Sequence, residues 1–288
     1  MKRLFVTLLL CMFLFDPSVS SAGTSPASPA RLDDPVYQSL SWWGEFFRTK
    51  VKDVLKDYGG TVAQNNALKS AGASYQKHLT AALPAPEAVS SPHAQAVLSG
   101  VFMFDAVYAA VFLKAKDAAA FMEKAQQFSS LAGVTMPMTT GLKKILAEPG
   151  RKGGPDAWRS ALDESMTRAL DAGLENDRQI VLFVDQIYGS IVEGLYITTE
   201  SIAQSGYSPE LMAYADIWHT HLDVLVKLFG IFRDDPAFSA LLNLNQRLSK
   251  IGEINKVMAF DRMTRQNVDQ IRELVAPLRS NILAGRPG

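Results

Sequence analysis

"VLSGVFMFDAVYAAVFL" (residues 97–113) and "IVLFVDQIYGSIVEGLYI" (residues 180–197) decide the fold, because each is apolar around nearly the whole circumference of a helix. Such a helix lies either at the centre of a large bundle or across a membrane. The first stretch carries Asp105, and the second carries Asp185 and Glu193. A carboxylate in the middle of a membrane costs about 2.5–3.5 kcal/mol. We therefore expect two buried central helices, and membrane association is the less favoured alternative.

The rest of the chain also has a helical period. Apolar residues spaced three and four apart recur in the segments 36–54, 211–232, 241–251 and 268–282, whereas no segment alternates as a strand does. Short connections between such helices favour antiparallel neighbours. The sequence therefore predicts one all-α domain, residues 36–288, built as a multi-helix antiparallel bundle of about eight or nine helices.

Capping residues indicate where several of these helices begin and end. Ser91-Pro92 and Ser208-Pro209 each combine an N-cap hydroxyl with a proline at the first helical position. Gly133 supplies a helix end. The expected helices include a weak one at 61–82, those starting at Ser91 and near Asp117, one at 177–204, and one running without a break from Ser208 to Phe232.

The N-terminus has the order of a secretory signal peptide. Lys2 and Arg3 precede twelve residues that are mostly apolar, and small residues follow up to Ala22. We expect residues 1–22 to be a signal peptide cleaved between Ala22 and Gly23, and residues 23–35 to be a flexible linker. This predicts a periplasmic or secreted protein, with an uncleaved anchor as the alternative.

Composition excludes several classes of function. The single cysteine, Cys11, lies inside the expected signal peptide, so the mature chain would have no disulfide and no thiolate metal site. Lys and Arg number 29 and Asp and Glu number 29, so the overall charge gives no strong field for nucleic acid or for an anionic membrane. No phosphate-binding loop, nucleophile elbow, zinc-protease motif or calcium loop is present. We therefore expect no nucleic-acid partner and predict no cofactor.

Acid and tyrosine pairs in the two apolar stretches are the main candidate site. Each acid precedes a tyrosine by three residues, so the two side chains share a helix face. A buried carboxylate must be paired, hydrogen-bonded or neutral. The cluster is interpreted either as a pocket for a small ligand or cation, or as a structural network that fixes helix register. Its members are Asp105, Tyr108, Asp185, Tyr188, Glu193 and Tyr196.

A second, weaker candidate lies in "ADIWHTHLD" (residues 215–223). Asp216, His219 and Asp223 share one helix face and could bind zinc with a fourth ligand from elsewhere. That face lies opposite the apolar seam, so a solvent-exposed polar stripe is the favoured interpretation, and no metal site is predicted.

Two stretches resemble a set of exported bacterial all-helical proteins, often lipoproteins, whose function is unassigned. The resemblance is carried by "FDAVYAAVFLKAKDAAAFMEKAQQFSSLAGV" from Phe104 to Val134 and by "IVEGLYITTE" from Ile191 to Glu200. It implies an extracytoplasmic helical fold and no particular chemistry. The lipid-attachment motif that such proteins often carry is absent from the expected signal peptide.

Taken together, these patterns predict an exported helical binding or interaction protein without an evident catalytic site. Its partner would be a protein or a small molecule. Two alternatives remain open at this point: a bundle whose core binds a metal or cofactor and could be enzymatic, and a helical protein associated with a membrane.

Overall fold

The computed structural model describes residues 60–82, 89–134, 177–233, 243–258 and 263–286, together with single positions within 49–54 and 160–168. Within these ranges the chain forms eight α-helices, one 3₁₀ helix (Lys77–Leu79) and no strand, which confirms the all-α bundle. The helices are α1 (Gly60–Ser70), α2 (Pro92–Val111), α3 (Ala115–Ala132), α4 (Asp177–Gln204), α5 (Pro209–Ala215), α6 (Ile217–Arg233), α7 (Leu244–Met258) and α8 (Arg265–Leu283). The expected signal peptide and linker lie outside the described residues.

The predicted caps account for several helix ends. Ser91 and Ser208 are the N-caps of α2 and α5, and their hydroxyls accept hydrogen bonds from backbone N–H groups three residues later. Gly133 ends α3 in the left-handed conformation, with φ at 75°. These ends follow from local side-chain chemistry, so sequence alone was enough to predict them.

Helix α1 is shorter than the sequence predicts. It ends at Ser70 rather than near residue 82, because the chain turns at Gly72, whose φ is 95°. The N–H of Ala73 reaches back to the carbonyl of Leu68 at 3.3 Å, which closes the helix end. The predicted helix from Ser208 to Phe232 is likewise divided into α5 and α6 by a turn at Asp216.

The division at Asp216 leaves the apolar seam continuous. The His219 N–H donates to the Asp216 carbonyl, three residues back, at 3.3 Å. The backbone therefore has the tighter 3₁₀ hydrogen-bond spacing over less than one turn. Leu211 before the turn and Trp218 and Leu222 after it are all buried. The period-based prediction was therefore correct for the buried face and wrong for the backbone.

The two apolar helices lie at the centre of the bundle. Both α2 and residues 179–204 of α4 are long and apolar enough to cross a membrane, yet 94% and 83% of these windows are buried inside the protein. Their backbones nearly touch: a Cβ on Gly100 would lie 1.9 Å from the Gln186 carbonyl oxygen, and one on Gly189 would lie 2.0 Å from that of Val97. Contact this close requires glycine at both positions.

Helix direction follows the length of the connections. The Ser99 and Ser129 hydroxyls meet at 2.7 Å, as expected for the antiparallel pair α2 and α3, which a short turn connects. Helices α2 and α4 instead run parallel, because His93 lies beside Asp185 and Val97 lies beside Gly189. A long intervening segment separates this pair in sequence, so no short loop forces it to be antiparallel.

Candidate functional site

The predicted acid and tyrosine cluster is divided between two levels of α4. Asp185 and Glu193 are both completely buried, but they are eight positions apart, which corresponds to about 12 Å along the helix axis. Because α2 runs parallel to α4, Asp105 lies level with Glu193 and not with Asp185. The two aspartates are therefore on adjacent central helices, as expected, but in different sites.

The first site is the Arg247 cluster, which consists of His93, Asp185, Tyr188 and Arg247. Arg247 from α7 is completely buried, and its Nη1 donates to Asp185 Oδ1 at 2.5 Å. His93 Nδ1 lies 2.7 Å from the other carboxylate oxygen of Asp185. The guanidinium carbon lies 4.6 Å from the centre of the Tyr188 ring. Helices α2, α4 and α7 therefore meet at one carboxylate.

Electrostatics in the Arg247 cluster favour a charged carboxylate. Burial by itself would raise the pKa of Asp185, but the charge of Arg247 and the bonds from His93 and Arg247 hold that pKa below its ordinary value. Burial raises the pKa of Tyr188 to about 12, so its phenol stays neutral. Asp185 and Arg247 form an ion pair inside the core.

Some hydrogen-bonding groups of the Arg247 cluster have no partner among the described residues. Tyr188 Oη and the Nε and Nη2 atoms of Arg247 are buried and make no hydrogen bond to any residue that the structure describes. Three donors without an acceptor are costly in a core, because each forgoes its bond to water. These donors are the groups of the cluster that a small acceptor would satisfy.

The second site is the Arg279 cluster, which consists of Asp105, Glu193, Tyr196 and Arg279. Arg279 from α8 donates from Nε and Nη2 to the two oxygens of Glu193, both at 2.7 Å, in a bidentate pair. Its guanidinium carbon lies 4.1 Å from the centre of the Tyr196 ring. Asp105 accepts a bond of 2.8 Å from the Ala81 N–H, which is a backbone donor as expected.

Two carboxyl groups share one arginine in the Arg279 cluster. Burial, followed by the neighbouring Glu193 carboxylate, raises the pKa of Asp105 well above its ordinary value. Burial also raises the pKa of Glu193, although Arg279 opposes this. With Asp105 protonated, the Glu193 carboxylate remains as the one negative charge against the Arg279 guanidinium. The cluster is then neutral and holds one proton.

The tyrosines do not bond the acids that precede them by three residues. Tyr108 instead accepts from the Gln76 N–H at 2.9 Å and donates to the Ser74 carbonyl at 3.1 Å. Tyr188 and Tyr196 each present a ring face to an arginine whose guanidinium also contacts the acid one turn earlier. On α4, an acid followed three residues later by a tyrosine therefore binds one arginine. The acid accepts the hydrogen bonds of the guanidinium, and the tyrosine ring lies against it.

The two arginines were not predicted from the sequence, although it contains a signal for them. Arg247 lies three residues after Leu244 and four before Ile251, and both of these leucine and isoleucine side chains are buried. Arg279 lies four residues after Val275 and three before Ile282, and both of these side chains are also buried. A basic residue at a seam position of an amphipathic helix predicts a buried acid on a neighbouring helix.

The face that carries Asp216, His219 and Asp223 contacts α7. Asp216 is exposed at the α5–α6 turn, whereas His219 Nδ1 lies 2.8 Å from Asn255 Oδ1. Asn255 in turn donates to Asp223 at 3.0 Å. In the part of the chain that the structure describes, no three His, Cys, Asp or Glu side chains are grouped so as to hold a metal ion.

We compared the chain with models of known protein families, with curated proteins and with solved structures. None of the three comparisons returned a match. The function must therefore be argued from the geometry of the described residues.

Proposed function

We propose that the protein is an exported helical binding or interaction protein, periplasmic or secreted, that acts through its surface. One observation carries this proposal: each buried acid of the central helices is already bound by groups of the protein itself. Asp185 binds Arg247 and His93, and Glu193 binds Arg279. Acids engaged in this way hold helices together and are not available to react with a substrate.

Burial supports the same conclusion. Asp105, Asp185 and Glu193 are completely inaccessible to solvent, whereas a general acid or base must come within about 3 Å of its substrate. Export is supported by the order of basic, apolar and small residues at the N-terminus, and by the resemblance to exported bacterial helical proteins.

Export is tested by producing the full chain in a bacterium and measuring the mass of the product in the periplasm and medium. We expect a soluble chain that begins at Gly23, within a residue or two. A product that retains Met1, carries a lipid adduct or stays in the cytoplasm would contradict the proposal.

The structural role of the core is tested by thermal melts of Asp185→Asn and Tyr108→Phe without added ligand. Tyr108→Phe should cost about 1–3 kcal/mol, because the Gln76 N–H and the Ser74 carbonyl both lose their partner. Groups held for a ligand would behave differently, since removing them leaves stability unchanged or raises it. Parent-like melts for both variants would therefore refute a purely structural core.

A second candidate function is the binding of a small anionic ligand in the Arg247 cluster. It is favoured by the donors of Arg247 and Tyr188 that have no acceptor in the part of the chain that the structure describes. Phosphate, acetate and chloride, each titrated at constant ionic strength, should then raise the melting temperature as their concentration exceeds the dissociation constant. No such rise, or an equal rise in Tyr188→Phe, would exclude this site.

A further inference from the structure

Leu113 is an exposed leucine in a backbone conformation that leucine rarely adopts. It lies in the turn between α2 and α3, has a φ of 61° and is 56% exposed. The turn closes α2 through bonds from the Leu113 N–H to Ala110 and from the Lys114 N–H to Ala109, at 2.9 and 2.8 Å. Glycine usually occupies the left-handed position of such a turn.

The same chain uses glycine at equivalent helix ends. Gly133 ends α3 with φ at 75°, and Gly285 follows α8 with φ at 72°. Compared with glycine, leucine at residue 113 strains the backbone and lowers the stability of the fold. It also exposes an apolar side chain to water. A residue that is unfavourable in both respects points to a function at the surface.

Basic side chains surround Leu113. Lys69 Nζ donates to the Val111 carbonyl at 2.7 Å and lies 5.7 Å from the Phe112 ring centre. Lys114 Nζ lies 5.9 Å from the ring centre of Tyr75, a residue that also bonds Asp117. We call this surface the Leu113 corner, and its members are Lys69, Tyr75, Lys77, Phe112, Leu113, Lys114 and Lys116.

The charge of the corner is positive. Its four lysines are exposed, and the one acid in contact with them among the described residues is Asp117, which pairs with Lys77 at 2.5 Å. The Phe112 and Tyr75 rings lie beside the ammonium groups of Lys69 and Lys114. An apolar side chain inside a ring of lysines and aromatics is complementary to an anionic lipid surface.

We propose that the Leu113 corner docks peripherally on an anionic membrane surface, with Leu113 as apolar anchor and the lysines at the headgroup phosphates. This deepens the proposed function and rests on it, because it names the partner of the surface. A stable protein–protein interface needs about 800 Å² on each side, centred on large apolar residues. One leucine in a tight turn offers far less, whereas lipid headgroups add attraction lysine by lysine.

The proposal is tested by sedimentation of the full chain with two kinds of vesicle. The first is phosphatidylcholine with phosphatidylglycerol, and the second is phosphatidylcholine alone. We expect binding to the anionic vesicles that weakens with added salt, and little binding to the neutral ones. Lys114→Glu should weaken binding by about fivefold or more.

Leu113→Gly separates binding from folding. Glycine removes both the anchor and the backbone strain, so this variant should bind about tenfold more weakly and melt at a higher temperature than the parent. The matched controls are Leu131→Ala, another exposed leucine, and Lys256→Glu, the same charge change on α7. Both controls should bind like the parent.

Several results would overturn the proposal. They are absence of vesicle binding, equal binding to neutral vesicles, unchanged binding of Leu113→Gly, and equal losses in the controls. Binding of polyglutamate in place of vesicles would assign the corner to an acidic protein, and self-association lost in Leu113→Gly would assign it to a second copy of the chain. Any of these leaves the proposed function intact, because that is tested by export and by the core variants.

Discussion

Asp105 and Asp185 are both completely buried, yet the fold moves their pKa values in opposite directions. Burial disfavours the charged form of each, so the difference comes from their partners. Asp185 is bonded to both Arg247 and His93. Asp105 lies near the charge of Arg279, whose hydrogen bonds go to Glu193. The ratio of cations to carboxyl groups therefore decides which acid is ionised.

Asp105→Asn should stabilise the protein at neutral pH. The folded pKa of Asp105 is raised above the unfolded value of 3.8, so stability falls as pH rises from about 3.8 towards the folded pKa. Asparagine can keep the bond from the Ala81 N–H and holds no titratable proton. Urea unfolding should therefore give a larger free energy for the variant at pH 7 than for the parent, and a difference that shrinks near pH 4.

Asp185→Asn is the matched control and should have the opposite effect. The pKa of Asp185 is lowered, so its stabilising contribution is present above the unfolded pKa and is lost as pH falls below about 4. At neutral pH the asparagine leaves Arg247 without its counter-charge. If both variants changed stability in the same direction at pH 7, the assignment of protonation states would be wrong.

The two arginines fasten α7 and α8 to the central helix α4. Arg247 reaches Asp185 from α7, and Arg279 reaches Glu193 from α8. Both acids lie on α4, which explains how one helix organises two neighbours that are far away in sequence. An ion pair in a dry core also specifies register, since a helix that slides would separate the charges.

Arg247→Met should destabilise the protein by about 3–5 kcal/mol, because a buried carboxylate loses its counter-charge. The double variant Asp185→Asn with Arg247→Met should recover a large part of this loss, since no unpaired charge remains. Lys250→Met on the same helix is the control and should change stability by less than about 1 kcal/mol. Additive losses in the double variant would show that the pair is not coupled.

The contact between α2 and α4 depends on two glycines. Gly100→Ala should cost at least about 3 kcal/mol, because the new methyl would overlap the Gln186 carbonyl and separate the helices. Gly252→Ala, in α7, is the control, since a Cβ there meets no atom within 4 Å. That substitution should stabilise by about 0.5–1 kcal/mol. Chemical denaturation measures both, and similar effects would refute close packing at Gly100.

Sequence was sufficient for what depends on a single helix. All-round apolarity predicted the burial of α2 and α4, and the Ser91 cap predicted where α2 begins. The division of the polar cluster could not be predicted, because it depends on α2 running parallel to α4, and no local pattern specifies helix direction across a long connection. The left-handed conformation of Leu113 could not be predicted either, because the spacing of apolar residues does not indicate a positive φ at a leucine.

At the scale of the whole molecule, the described bundle contains several groups whose proton affinity changes on folding. Burial of His221 lowers its pKa to about 4, and its ring lies 5.4 Å from that of Trp218. Unfolded histidine takes up a proton near pH 6.5. The contribution of neutral His221 to the free energy of unfolding is therefore fully present above pH 6.5 and is lost as pH falls towards 4. Asp105 acts in the opposite direction, because its contribution is lost as pH rises above its unfolded pKa.

His221→Phe isolates the histidine term, because the contribution of Asp105 is common to both proteins and cancels in their difference. Between pH 6.5 and 4 the parent should lose roughly 3 kcal/mol of unfolding free energy relative to the variant, given a folded pKa near 4. Phenylalanine keeps a flat ring beside Trp218, so packing is disturbed little. Denaturant titrations at several pH values give the difference directly. Parallel profiles for the two proteins would mean that folding does not lower the pKa of His221, and acid sensitivity would then rest on carboxylates with lowered pKa values, such as Asp185.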